Sequence, residues 1–328
     1  MLGMAKHRII FLLIFVAVQM VQASGFKKYA GEFLAIGGGS RLSAMGGAGV
    51  ALVNDVSAGY WNPAGLSLAK GFQIQFTHGK QFISSVQHDY LGFSHPLNQK
   101  TTVGLSLIYF TVNGIKDSRQ AFNEADNKVD YSKIRTFNTG DYSLFLSIAK
   151  KRSDRLRLGM NVKMIYRDFN VENALGLGFD LGLQYDLWKN LKVGALLRDV
   201  TSTMIAWSTN EKEFIAPSLR FGLSYLFNWP VMNLSLKPSA DLQILMEGRD
   251  YAAQVNVGPL SLDSFWGLEL DYRHIVSWRA GLDDLQRFNT GIGLNIPKVS
   301  FDYAFTNYAS ELGNVHRISV HLFLDRLF

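Results

Sequence analysis

The 328-residue chain has no cysteine and only 7 prolines. Without cysteine there is no disulfide scaffold, no thiolate metal ligand and no thiol nucleophile. The chain also lacks the repeated apolar stretches of about 20 residues that a helical membrane protein needs, in keeping with a mean hydropathy of +0.05. Its net charge of +6 is modest, and its basic residues are scattered. No basic stripe marks a nucleic-acid-binding face, and no nucleic-acid partner is expected.

One continuous apolar run exists, Ile9 to Val18, and it lies near the start. Lys6 and Arg8 precede it and Val21-Gln22-Ala23 follows, a small-x-small cleavage pattern. The run is too short to span a bilayer as a helix and fits the core of an export signal. Residues 1–23 are therefore expected to be cleaved, leaving an exported protein that starts near Ser24. Loss of Lys6 and Arg8, with no acid in the segment, lowers the charge from +6 to +4.

Beyond residue 70 the chain has period two. In 155–168, Leu156, Leu158, Met160, Val162, Met164 and Tyr166 share one face. Arg155, Arg157, Asn161, Lys163 and Arg167 share the other. A helix would spread both sets around its circumference, whereas a strand separates them. Segment 175–187 repeats the pattern, with Asp180 and Asp186 opposite its leucines. Later segments place Glu269, Asp271, Arg273, Arg279 and Asp302 opposite aromatic and aliphatic residues. Runs of about a dozen residues exceed the usual 5–6 of soluble sheets and suit tilted membrane strands of about 9–11. Apolar-out, polar-in alternation is the signature of a barrel in lipid with a hydrated interior. The expected fold is all-β: an antiparallel transmembrane β-barrel over residues 71–328. The charges named above are expected in its lumen, paired with one another because buried charge needs a partner.

Fifteen segments qualify as strands, but single-chain bacterial barrels have even numbers, with short periplasmic turns and longer external loops. The weakest segment, 250–258, runs into Gly258-Pro259. Reading 247–263 as an external loop restores parity and leaves about fourteen strands. Connections 113–138 and 200–215 then also face outward. The first is charged, with Lys116, Asp117, Arg119, Glu124, Asp126, Lys128 and Asp130. The second carries Met204, Ile205, Trp207 and Phe214, a candidate external contact site.

Residues 24–70 differ. They are Gly-rich from Gly37 to Gly49 and continue through Asn54-Asp55 to Tyr60-Trp61-Asn62-Pro63-Ala64-Gly65. No Lys-Ser/Thr follows a spaced glycine, so the stretch is not a phosphate-binding loop. Small residues suit a plug, or hatch, packed inside a barrel wide enough to leave a lumen. The simplest reading is a stopper; the alternative is a movable gate with Gly46, Gly47 and Gly65 at hinge or close-packing points. Asn62 is expected to bond backbone in the turn that Pro63 fixes. Arg41 and Asp55 are expected to meet each other or charges of the wall.

The stretch GGGSRLSAMGGAGVALVNDVSAGYWNPAGLS resembles the N-terminal region of the PorV/PorQ family of outer-membrane proteins. More distantly it resembles the hatch of FadL-type fatty-acid transporters. The matching positions are Arg41, Gly46, Gly47, Ala48, Asp55, Asn62, Pro63, Ala64 and Gly65. Phe265 to Tyr272, Trp278 to Gly281, Asn289 to Leu294, Asp302 to Phe305 and Leu312 to Ser319 look like that family's closing hairpins. One departure is Arg326, which breaks the apolar alternation leading to the terminal Phe328. The resemblance implies a FadL-like barrel of fourteen strands in the bacterial outer membrane. It further implies an accessory or cargo-binding part in type IX-like protein export, with secreted proteins or secretion subunits as partners beside membrane lipid. The alternative it carries is transport of a hydrophobic small molecule, with Ile108, Phe110 and Phe145 lining a pocket.

Enzymatic chemistry has no handle. The seven histidines form no His-x-x-x-His pair, and no Gly-x-Ser-x-Gly elbow occurs. Neither metal nor cofactor is expected, and no catalytic residue is assigned.

Overall fold

The computed structural model describes residues 31–81, 85–123, 127–249, 253–308 and 313–324. The expected signal segment 1–23 and the terminal Arg326 and Phe328 lie outside the described residues, as do Glu124 and Asp126.

Fourteen antiparallel strands close into a barrel. They are β1 (Gln73–Gln81), β2 (Val86–Pro96), β3 (Thr101–Asp117), β4 (Arg135–Lys151), β5 (Leu156–Asp168) and β6 (Asn173–Asp186). Next come β7, in two pieces (Leu191–Arg198 and Thr203–Trp207), and β8, also broken (Lys212–Ile215 and Ser218–Tyr225). Then follow β9 (Leu234–Leu245), β10 (Leu260–Tyr272), β11 (Val276–Leu282), β12 (Phe288–Ile296), β13 (Val299–Thr306) and β14 (Val315–Phe323). Each strand pairs with the next, and β14 closes on β1 from Gln73↔Phe323 to Lys80↔His316. Closure removes the free edges that a sheet would otherwise expose.

Burial along the strands is the inverse of a soluble protein. On β5, Leu158, Met160, Met164 and Tyr166 are about 40% exposed, while Lys163 is 1% exposed and Asn161 and Arg157 are buried. Such a surface is stable only where lipid replaces water outside. Tyr109, Tyr142 and Tyr166 form a ladder on that outer face, with ring centroids 4.7 and 6.0 Å apart. Aromatic rings prefer the level where hydrocarbon meets water.

The long connections gather at one end. That end carries 118–134, 246–259 and 307–314 beside four of four or five residues, 82–85, 169–172, 208–211 and 283–287; the other carries 97–100, 152–155, 187–190, 226–233, 273–275 and 297–298. The short-turn end is periplasmic by the barrel rule. Among the described residues between β9 and β10 there is one short strand, Val255–Val257, and β10 begins at Leu260, earlier than the period suggested.

Two expected external loops are corrected. Strands β3 and β4 run four or five residues further than their alternation implied, so the first loop narrows to 118–134. Positions 200–215 are not a loop. Thr203–Trp207 and Lys212–Ile215 pair with each other across a turn at 208–211 and extend the wall. The period was lost there because β7 is interrupted: Asp199 and Ser202 take left-handed φ of 54° and 59°. Six residues of β7 lie between Leu197 and Met204, against three between their partners Leu181 and Leu177 on β6. Such an insertion resets which side chains face lipid.

Candidate functional site: the lumen and its charged lining

Residues 31–72 pack against the inner wall in short turns, a helix at Ser40–Ser43, another at Ala58–Trp61, and a 3-10 turn at Pro63–Leu68. Glycines make the approach possible. A Cβ on Gly281 of β11 would overlap the backbone of Met45, and one on Gly46 would overlap the backbone of Leu282. Gly46 also holds a φ of +64°, open to glycine at no steric cost. On the far side, a Cβ on Gly159 of β5 would strike Pro63 and Ala64. The wall glycines opposite leucines are therefore seats for the N-terminal backbone.

Asn62 is wholly buried and bonded throughout. Its Nδ2 donates to the carbonyls of Val50 (2.8 Å) and Leu183 (3.1 Å), and its Oδ1 accepts from the Ala64 amide (3.2 Å). Arg41 reaches β10: Nε and Nη2 donate to the two oxygens of Glu269 at 2.8 and 2.9 Å. Its Nη1 donates to Asn54 Oδ1 and Asp55 Oδ2, at 2.8 and 2.9 Å. Burial alone would raise the Asp55 carboxyl, but the charge of Arg41, with the bonds from Ser57 and Arg41, holds it below the usual range. Ala48 is buried, and a Cβ on Gly267 would touch it at 3.1 Å; Gly47 packs under Trp61, and Gly65 against the Val53 carbonyl.

The lumen charges form chains. Glu269, 1% exposed, also accepts from Lys237 (2.9 Å) and Arg279 (2.8 Å). Lys237 continues to Asp271, and Arg279 to Asp302 at 2.6 Å. Elsewhere Lys163 bridges Asp199 (2.5 Å) and Asp180 (3.3 Å), Arg157 meets Asp186 (2.6 Å), and Arg167 meets Asp141 (2.6 Å). Two expected lumen residues lie elsewhere. Arg155 sits in the exposed turn 152–155, and Arg273 in the exposed turn 273–275 with φ of 55°. Both flank strand ends, where alternation no longer fixes a side.

Of the four residues expected on a contact loop, Ile205 is fully buried, and Trp207 stacks near Arg167, which also lies over Phe33 and Phe169. Met204 pairs with Phe214 across the hairpin and is 41% exposed. They are wall residues. Several important contacts escaped sequence reasoning. Arg220 donates to Asp241 (3.1 Å) and to the Gly47 carbonyl (2.6 Å), while Asp241 accepts from the amides of Gly49 and Val50. Asn161 donates to the Gly59 carbonyl at 2.8 Å. Parity places Arg220, Asp241 and Asn161 inside, opposite the apolar face of each strand, but does not say which partner each meets.

Cavities inside the wall are small. A chamber of about 120 Å³ opens toward the long-loop end, beside Tyr60, Trp61 and several arginines. A pocket of about 100 Å³ lies against the interrupted β7, lined by Leu34, Phe145, Ile215, Lys163 and Asp199. A mouth of about 270 Å³ at the other end holds Arg41, Glu269 and Lys237. Ile108 and Phe145 face inward as expected, but they pack into the core with Tyr60 and Leu66, and Phe110 packs against it. A cleft of about 550 Å³ is on the outer wall around Pro238 and Trp266, where lipid lies.

The fold is similar to solved structures of hydrophobic-compound channels. The toluene transporter TodX of P. putida matches with a TM-score of 0.58 at 12% identity, covering 87% of this chain and 96% of that one. The toluene transporter TbuX of Ralstonia pickettii gives 0.56 at 14% identity, covering 87% and 97%. A FadL homologue of Pseudomonas aeruginosa gives 0.54 at 13%, covering 87% and 98%. At such identities the likeness establishes the barrel alone. No curated protein sequence matches. The model of the family described as type IX secretion system membrane protein PorP/SprF matches residues 54–324. That is a different family name from the expected PorV/PorQ, with type IX secretion in common. The chain belongs to the PorP/SprF family of type IX secretion system membrane proteins.

Proposed function

We propose that this chain is an outer-membrane component of protein export to the cell surface, with residues 24–70 acting as a hatch that stops the lumen. The observation that carries the reading is the occupied interior, added to the family membership. Residues 31–72 press backbone to backbone against the wall, and the cavities left inside are small and charged. A barrel so filled offers its partners an outer surface rather than a channel. The finer reading is a cargo-binding role of the PorV/PorQ kind, in which secreted proteins or secretion subunits dock at the external end. Loop 118–134 suits docking better than the hairpin at 203–215. Arg119 pairs with Asp117 at 2.6 Å and Lys133 with Asp130 at 3.7 Å, while Phe122, Val129 and Tyr131 are about half or more exposed. Deletion of the gene, with comparison of secreted and surface proteins, tests the proposal. Unchanged surface proteins would sink it.

A second reading, transport of a hydrophobic small molecule, draws on one observation. The interruption of β7 at 199–202 lies beside the pocket that Phe145 and Leu34 line. At about 100 Å³ that pocket is smaller than the roughly 150 Å³ cavity that accommodates benzene in an apolar core. It also contains Lys163, Asp180 and Asp199. Uptake of fatty acids by the deletion strain, measured beside secretion, separates the two readings.

A further inference from the structure

Strands β14, β1 and β2 carry a cluster of polar groups that the lumen chains leave aside. Register sets Arg317 opposite Gly79, and Gly79 opposite His88. Gly79 has no side chain, and a Cβ there would stand 2.9 Å from Cγ of Arg317. The Arg317 side chain therefore lies over the glycine, between β14 and His88. Gln81 is two positions further along β1, on the same face.

His88 is 1% exposed, yet neither ring nitrogen meets a partner on another residue. Buried Nε2 of Gln81 and buried Nε of Arg317 are also without partners. Arg317 makes no ion pair within 4.0 Å among the described residues, whereas Arg220 and Arg287 nearby each hold a carboxylate. Unmet buried polar groups are rare because each costs about 1–3 kcal/mol. Here donors predominate: a guanidinium N–H, an amide NH₂ and at least one imidazole N–H. The group that answers such a set is an anion, and a flat carboxylate suits a guanidinium best. Arg317, though not Gln81 or His88, also lines the chamber at the long-loop end, with Arg287, Asp283 and Asp284, so the guanidinium edge of the cluster is reached from outside. At about 120 Å³ the chamber has room for roughly four waters at ~30 Å³ each, which is the scale of one acid group rather than a whole ligand.

We propose that Gln81, His88 and Arg317 form a carboxylate-binding subsite, which takes the acid group of a small organic acid or of a peptide C-terminus presented from outside. The inference goes beyond the secretion reading and does not depend on it. Purified barrel in detergent micelles is unfolded in urea at constant ionic strength while chloride is replaced by benzoate or by phosphate. The wild-type midpoint rises with benzoate and saturates, and phosphate does not reproduce the rise. Arg317→Gln and His88→Gln lose most of the rise, while Arg287→Gln, whose guanidinium is already paired, keeps it. Without added anion, Arg317→Gln is at least as stable as wild type, because it removes a desolvated charge that lacks a counter-charge. A short peptide with a free C-terminus that acts like benzoate, where its amide does not, assigns the peptide source. Two inactive peptides beside active benzoate assign the small acid. The proposal is overturned by a flat wild-type midpoint, by an equal rise in Arg317→Gln and His88→Gln, or by phosphate matching benzoate.

Discussion

Arg41 and Glu269, 228 positions apart in the chain, meet through two parallel hydrogen bonds of 2.8 and 2.9 Å. The first belongs to the N-terminal segment and the second to β10, so this fork ties the lumen contents to the wall. Glu269 holds Lys237 and Arg279 as well, and its position is fixed from three sides. Removing Arg41 leaves Glu269 with two cationic partners but loses a fork of charge-assisted hydrogen bonds, each of which contributes about 1.5–3 kcal/mol. Arg41→Ala is therefore expected to lower the urea midpoint strongly, and Arg41→Lys to recover only part, since a lysine cannot make the fork. Equal stability of Arg41→Ala and wild type would show that the fork holds nothing in place.

Gly281 and Met45 give a second test, one of shape. A side chain on Gly281 overlaps backbone, which has no rotamer to escape into. Gly281→Val is expected to cost about 1–3 kcal/mol by overpacking and to lift the segment from β11. Lifted, the segment no longer fills the lumen, and ion conductance through single barrels in a planar bilayer rises above wild type. Gly258→Val strains an external loop, where Gly258 holds a φ of +59°, but its Cβ position has nothing within 4 Å, so it should destabilise without raising conductance above the wild-type level.

Asp55 sets an acid limit. Its carboxyl lies below the ordinary value, because the charges of Arg41 and His321, with the bonds from Ser57 and Arg41, outweigh the effect of burial. A group with a lowered folded pKa contributes stability that is fully present above the unfolded value, about 3.9, and is lost as pH falls through the folded one. The difference in midpoint between wild type and Asp55→Asn is expected to be full at pH 6 and to shrink as pH drops below about 4. A difference that stays constant down to pH 2 would mean that Asp55 acts by packing and not by charge.

Much of this was legible in the chain because a barrel in lipid has one rule per residue. Alternation on β5 put Lys163 and Arg157 inside and Met160 and Tyr166 outside, and parity of turns removed 250–258 from the wall. The rule fails where its premise does. At Asp199 and Ser202 the insertion resets the register, and the strands beyond it passed for a loop. Arg155 and Arg273 stand one residue past a strand, where no neighbour fixes the face. Pairings such as Arg220 with Gly47, 173 positions apart, depend on how far round the wall each strand sits, which alternation does not encode.

Loop 118–134 provides the test of docking. Tyr131 is 78% exposed and Phe122 is 52% exposed, so neither side chain is held in the packed core, and two charged pairs nearby, Arg119–Asp117 and Lys133–Asp130, do not involve them. Surface substitutions of this kind change stability by about 0.5 kcal/mol or less. If the loop receives a secreted or secretion-system partner, exposed aromatics are where its affinity concentrates. Phe122→Ser with Tyr131→Ser is then expected to leave barrel assembly and the urea midpoint unchanged while the amount of surface-delivered protein falls several-fold. Equal loss of barrel from the membrane would reduce the effect to misassembly. Normal delivery with normal assembly would move the docking surface away from this loop.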